Sequence, residues 1–235
     1  MHEVIRVFFW PHDFRVSLPS VWDGFQVNLK LMVTAEVLVL IFALSIAVVR
    51  GLPGRGAKPL RALAIVYTDF FRGTPLILVA FLVGFGFPAL NIHGLSGRSN
   101  FTYGVIALTL VYTAYVTEVF RAGIESVHPS QRMAARSLGL SYMQSMRHVV
   151  VPQAVRRVIP PLLNDFIGLQ KDTALVSVIG VAESAFQAQA YAQHFANFTS
   201  YVVAAVFFVL LTIPLARFTD HLILARERRE RATVV

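Results

Sequence analysis

Cysteine is absent from the 235 residues, which removes disulfides, thiolate metal sites and cysteine nucleophiles from consideration. Charge is scarce: Asp, Glu, Lys and Arg make up only 14% of the chain, against about a quarter in soluble proteins. A soluble domain could not cover its surface with so few charges. Met1–Phe25 holds charges and prolines throughout and lacks the apolar core of a signal peptide. There is no fixed-period repeat and no low-complexity tract. The nearest approach to a nucleotide-binding loop, residues 51–59, has Ala57 where lysine must follow the second glycine, and Pro59 where Ser or Thr is needed. The seven histidines show no HExxH or clustered ligand spacing, so no metal site is expected. No catalytic residue is expected either.

What remains is strongly apolar. Hydrophobic residues make up 56% of the chain and the mean hydropathy is +0.62, which excludes disorder and points to an all-α integral membrane protein. Residues 31–49, 74–90, 101–119 and 198–221 are the expected spans with few or no charges. A fifth, 158–178, is apolar but interrupted by Asp165, Lys171 and Asp172; two short interfacial helices are its alternative. Each stretch approaches the roughly 20 helical residues that cross a hydrocarbon core.

The cations choose an orientation. Arg50–Arg72, Arg121–Arg157 and Arg217–Arg231 hold five, six and five Lys/Arg, whereas the opposite connections hold only Arg6, Arg15 and Arg98. Cytoplasmic loops collect such charges. The expected topology is therefore multi-pass, N-terminus outside and C-terminus cytoplasmic. Residues 1–27 form an extracytoplasmic segment, 28–224 the membrane domain, and 225–235 a basic tail held by anionic lipid. The net charge of +8 is thus explained by lipid bilayer and topology, with no nucleic-acid partner.

The connection between spans three and four, about residues 121–152, is too long for a turn. Pro129 suits a first helical position, and Gly139 a stop. Ser141 with Gln144 three residues later makes a capping-box pattern. Two short helices with a glycine corner follow, with Arg132 and Arg136 one turn apart on the first. Such a pair is a docking surface or an interfacial anchor.

These residues also carry a resemblance. Met133-Ala134-Ala135, Gly139 four residues on, then nine residues and Val149-Val150-Val151-Pro152 resemble the EAA loop of bacterial ABC importer permeases, with Met133 in place of glutamate. Phe71–Pro75, Glu118–Ile124, Ala135–Gly139, Pro152–Ala154 and Lys171–Leu175 resemble the polar amino acid permease family. The resemblance implies a five-span permease of the bacterial cytoplasmic (inner) membrane, paired with a second permease, the same chain or a related one. It implies a separate ATPase subunit that holds ATP and magnesium, none being bound by this chain, and an extracytoplasmic amino-acid-binding protein. The loop would be the coupling element, with Arg132, Ala134, Ala135, Arg136 and Gly139 at the ATPase.

A charge inside a membrane is expensive and needs a reason. At 100° per residue, Asn164, Asp165, Gly168, Lys171 and Asp172 share a wedge of roughly 120°. Thr102, Thr109, Tyr112 and Thr113 share a side of span three. The two stripes, with Thr173 beside them, are candidates to line a hydrophilic path, Asp165 meeting an ammonium group; otherwise they only hydrogen-bond helices together. Glu36 receives no role. Thr74-Pro75 reads as a helix start, Thr74 as its cap. A secondary transporter or channel using Asp165, Lys171 and Asp172 as an ion or proton relay is the alternative; a membrane-embedded enzyme has no nucleophile to support it.

Overall fold

The computed structural model describes residues 2–52 and 54–232, with side chains as far as residue 225. The side chains of Arg226–Arg231, assigned above to a lipid-binding tail, lie outside the described residues. No strand occurs among the described residues, as the all-α class requires.

A short helix α1 (His2–Phe8) leads into α2 (Pro11–Gly51), 41 residues long and opened by Pro11 at its first turn, where a missing N–H costs nothing. The helix passes unbroken through the boundary expected near residue 27. Its inner side is a row spaced by four, Leu31, Ala35, Val39, Ala43 and Ala47, all buried. Val33, Val37, Ile41, Phe42, Leu44 and Val48 are exposed on its other sides. A helix apolar all round needs an apolar surrounding.

Helix α3 (Lys58–Gly73) occupies what the sequence suggested was mainly a basic loop. It meets α4 (Leu76–Phe81) at an angle of 106°. Thr74 does not cap α4: its Oγ1 donates back to the Phe70 carbonyl at 2.8 Å, closing α3, and Pro75 takes the cap position. After α4 a π turn (Leu82–Gly86) leads to α5 (Phe87–Ala89). Helix α6 (Asn100–Glu125) opens with the Ser99 hydroxyl accepting from the Thr102 amide at 3.3 Å. Helices α7 (Pro129–Ser137) and α8 (Tyr142–Ser145) follow, and a second π turn (Met146–Val150) joins α8 to α9 (Val151–Asp172).

Both π turns end two residues before a proline, Pro88 and Pro152. Proline cannot donate to the carbonyl four residues back and its ring crowds that carbonyl. Widening the turn lets the chain pass without breaking. Past α9, a 3-10 stretch (Thr173–Ile179) stops at Gly180 with φ +80°. Helix α10 (Ser184–Phe195) then folds back on α11 (Thr199–Ala232).

The core is centred where α2, α6 and α9 meet, around Leu31, Tyr103, Leu108, Leu169 and Val176. Residues 2–51, 100–125 and 199–225 contain helices long and apolar enough to cross a membrane, and the bent α3–α5 unit makes a fourth if it is one span. The expected span 158–178 coincides with α9 and the 3-10 stretch. It carries Asp165, Lys171 and Asp172, yet α9 packs inside the bundle against α6 and α11.

Candidate functional site

Helix α9 separates its faces as the sequence predicts. Ile167, Leu169 and Gln170 are buried, whereas Asn164 and Lys171 are exposed and Asp165 and Asp172 half-buried. The polar wedge thus lies at the edge of this chain's own packing, with Asn164 and Lys171 outside it and both aspartates partly within. Asp165 Oδ2 is shielded from solvent and has no hydrogen-bond partner. Asp172 Oδ2 accepts from the Tyr112 hydroxyl at 2.8 Å. That hydroxyl also lies over Gly168, where an added Cβ would sit 3.1 Å from it.

The stripe on α6 behaves differently. Thr109 and Thr113 are 7% and 1% exposed, and Thr109 Oγ1 has no partner. They face the helix packing and do not line an open path; of that stripe only Tyr112 reaches the α9 carboxylates. Thr173 is fully buried too. Its hydroxyl donates to the Gln170 carbonyl at 2.6 Å and accepts from Asn28 Nδ2 at 3.0 Å, so it belongs to a helix junction.

That junction was missed by sequence reasoning. Asn28 Nδ2 also donates to Glu183 Oε2 at 2.9 Å, while Asn28 Oδ1 accepts from the Ser184 amide and hydroxyl at 3.1 and 2.7 Å. Glu183 caps α10, accepting from the Ala185 and Phe186 amides at 2.9 and 2.7 Å. Asn28, Thr173, Glu183 and Ser184 are all buried. An acidic residue directly ahead of Ser184 and an apolar run was the available signal, since acids are favoured at helix starts.

At the other end of α9, an open cleft of about 500 Å³ is lined by Arg72, Tyr115, Glu118, Arg157, Pro161 and Asp165. Both signs of charge border it. Glu118 is paired with Arg50 and, at 2.8 Å, with Arg121, which also pairs with Glu125. Arg50 reaches the Thr68 hydroxyl at 3.2 Å, and Arg157 donates to the Ser126 carbonyl. Ammonium and carboxylate groups of a small zwitterion would both find opposite charge here.

Beyond the cleft stand α7 and α8. The Gly139 amide donates to the Arg136 carbonyl at 3.0 Å and the Leu140 amide to the Ala135 carbonyl at 3.2 Å. This pair of bonds is the Schellman ending of a helix, with Gly139 at φ +87° in the left-handed position that favours glycine. Ser141 and Gln144 make both bonds of the capping box, at 3.3 and 2.8 Å. The second helix is not a separate piece, however: α8 runs through the π turn into α9. Arg132, Ala134, Arg136 and Gly139 are exposed, but Ala135 is buried in the loop's own packing. Leu138 (84%), Met143 and Met133 are the most exposed apolar side chains of the loop.

Apolar helices of membrane-crossing length, a polar face on α9 and an exposed helix pair at the arginine-rich end are features of a membrane transport component. Known proteins agree. The family described as "Binding-protein-dependent transport system inner membrane component" matches residues 40–227. "Probable glutamine ABC transporter permease protein GlnM" of Bacillus subtilis is 36% identical over 201 residues, covering 85% of this chain and 90% of its own. "Glutamate transport system permease protein GluC" of Corynebacterium glutamicum is 36% identical over 207 residues, covering 84% and 90%. A structure described as "Crystal structure of an amino acid ABC transporter with histidines" superposes with a TM-score of 0.80 at 33% identity, over 90% of this chain and 94% of that one. The chain belongs to the family of binding-protein-dependent transport system inner membrane components. That membership disfavours the self-sufficient secondary transporter or channel.

Proposed function

We propose that this chain is the membrane subunit of an ATP-driven importer that moves a polar amino acid into the cytoplasm. A separate ATPase subunit, carrying ATP and magnesium, docks on α7 and α8. An extracytoplasmic binding protein delivers the amino acid, and a second permease covers the polar face of α9. The N-terminus lies outside and the C-terminus in the cytoplasm. The observation that carries the reading is the juxtaposition, at one end of the bundle, of the Asp165 cleft and the exposed, glycine-cornered helix α7. The relatives' names support the substrate class, and the distribution of Lys and Arg supports the orientation.

In this reading Asn164, Asp165, Lys171 and Asp172 border the substrate path, with Asp165 beside the ammonium group. Tyr112 holds Asp172, while Thr109, Thr113 and Thr173 act from within the packing. Arg132, Ala134, Arg136 and Gly139 form the ATPase contact, and Ala135 supports it from beneath. Met133 is 62% exposed, so the missing carboxylate alters the face presented to the ATPase and leaves this chain's own packing untouched.

The test is Asp165→Asn in the reconstituted transporter with its ATPase and binding protein. Uptake should fall at least roughly tenfold, the scale of about 1.4 kcal/mol, while assembly with the ATPase persists. Unchanged uptake kinetics would reduce Asp165 to a structural residue. A cysteine at Ser137, in a chain with no other, should crosslink to the ATPase. Capture from residues 50–61 instead would move the coupling element to that loop.

A further inference from the structure

We propose that α1 and the residues joining it to α2 form an interfacial foot. It lies flat in the headgroup layer at the end of the bundle away from Arg50 and Glu118, with its apolar side in the acyl boundary. This inference does not rest on the transport reading.

The first observation is amphipathicity without a protein partner. At 100° per residue, Val4, Ile5, Val7 and Phe8 fall on an arc of about 160°, and His2, Glu3 and Arg6 on the remaining side. No side chain of α1 is buried. Val4, Ile5, Phe8, Phe9 and Trp10 are 42–57% exposed. So much apolar surface on seven helical residues and their continuation has no account in water.

The second observation fixes the depth. The foot is clipped to the start of α11. The Phe198 amide donates to the Val7 carbonyl at 2.9 Å, Asn197 Nδ2 to the Arg6 carbonyl at 2.9 Å, and the Trp10 amide to the Thr199 hydroxyl at 3.2 Å. The rings of Phe8 and Phe198 stack at 5.8 Å. Helix α11 is apolar and long enough to span, and only 17% of its most apolar stretch is buried in the chain, so most of that surface is open to the bilayer. Its first residues mark a membrane boundary, and whatever is bonded to them lies at that boundary.

The third observation is chemical. Trp10 and Tyr201 stand at this level with Phe8, Phe9 and Phe198, and tryptophan and tyrosine favour the headgroup region because their rings are apolar and their tips polar. Phe8 of α1 stacks on Phe198 and Phe198 on Tyr201, and exposed apolar surface continues along α11 through Val206 and Val209. Lipid is therefore the occupant that continuity selects over a soluble protein partner.

Trp10 reports directly. The transporter, with its partner subunits, is reconstituted into phosphatidylcholine vesicles carrying bromine near the head or near the end of the acyl chains. Trp10 emission is taken as the difference between the unsubstituted complex and its Trp10→Phe variant, so other tryptophans cancel. Shallow bromine should lower it roughly twofold, deep bromine less, and aqueous iodide weakly, as expected for a ring at the interface. Equal emission with and without bromine, together with strong iodide quenching, overturns the proposal. Iodide quenching relieved only by adding the soluble binding protein also overturns it, because the face would then be a protein docking site. If Trp10→Phe fails to assemble, a nitroxide on Phe9→Cys, read by oxygen against a water-soluble relaxation agent, gives the same decision.

Discussion

The two ends of the bundle are held by different kinds of contact. Around Glu183, three elements converge on a buried polar knot in which Asn28, Thr173, Glu183 and Ser184 satisfy one another. Gly24 lets α2 approach so closely that an added Cβ would lie 2.6 Å from the Glu183 carbonyl carbon. Around Glu118, the ties are the largely covered Arg50–Glu118 pair, the more open pairs of Arg121 with Glu118 and Glu125, and a small apolar cluster of Val127, Val150 and Ala154. Satisfied buried networks specify one arrangement and are costly to disturb, whereas exposed ion pairs contribute about 0–1 kcal/mol. The knotted end therefore fixes the helices, whereas α7 and α8 bury only Ala135 and Ser145, which suits the coupling role proposed for them.

The largest expected effect breaks the knot. Gly24→Val drives two methyls into the backbone of α10's first turn and should cost roughly 3 kcal/mol or more, the top of the overpacking range. The protein should fail to accumulate in the membrane; normal yield and thermal stability in detergent would show the close approach to be soft.

Glu183→Gln is subtler. It replaces one acceptor oxygen by an NH₂ facing donors, and should destabilise by about 2 kcal/mol, the scale of hydrogen bonds to a charged group. Thermal unfolding of the purified chain measures this, and a shift no larger than for an exposed Glu→Gln control would contradict the network.

At the other end, Gly139→Val should leave insertion intact. The space at Gly139 is open, so the cost is conformational: a β-branched residue at φ +87° is strained by about 1–3 kcal/mol. Substrate-stimulated ATP hydrolysis and uptake should be lost while stability falls little. Retained stimulation would mean that the corner is not needed for coupling.

Ser141→Ala is the smallest. Removing one cap costs about 1 kcal/mol, confined to the start of α8. Stimulated hydrolysis should drop only a few-fold, and a loss as complete as that of Gly139→Val would make the comparison between corner and cap invalid.

What the sequence revealed followed from local physics. Apolar length located the helices, Gly139 marked a helix end, and Ser141 with Gln144 marked the next start; all three depend on residues within a few positions of one another. The wedge on α9 was legible for the same reason. Which way a stripe points is not local. Thr109 and Thr113 form as regular a stripe as Asn164 and Lys171, yet one pair faces the core and the other leaves it, because packing across helices decides. Asn28 and Glu183 lie 155 residues apart, beyond any pattern of spacing. The helices α1, α3 and α10 escaped because their charges or polar groups hid them from a search for long apolar runs.

Helix α2 also has a geometric consequence. Its 41 residues measure about 60 Å, while a bilayer with its headgroups is about 40–45 Å thick. Standing upright, it could not meet one surface near Trp10 and the other near Arg50. A leaning α2 meets both, because a long helix accommodates to the bilayer by tilting. Its neighbours are staggered along it: Val203, four residues into α11, clusters with Val21, whereas Gly104, four residues into α6, packs beside Leu31. Lipid chain length should therefore alter the lean of α2, a response set by the length of the helix and by no single residue.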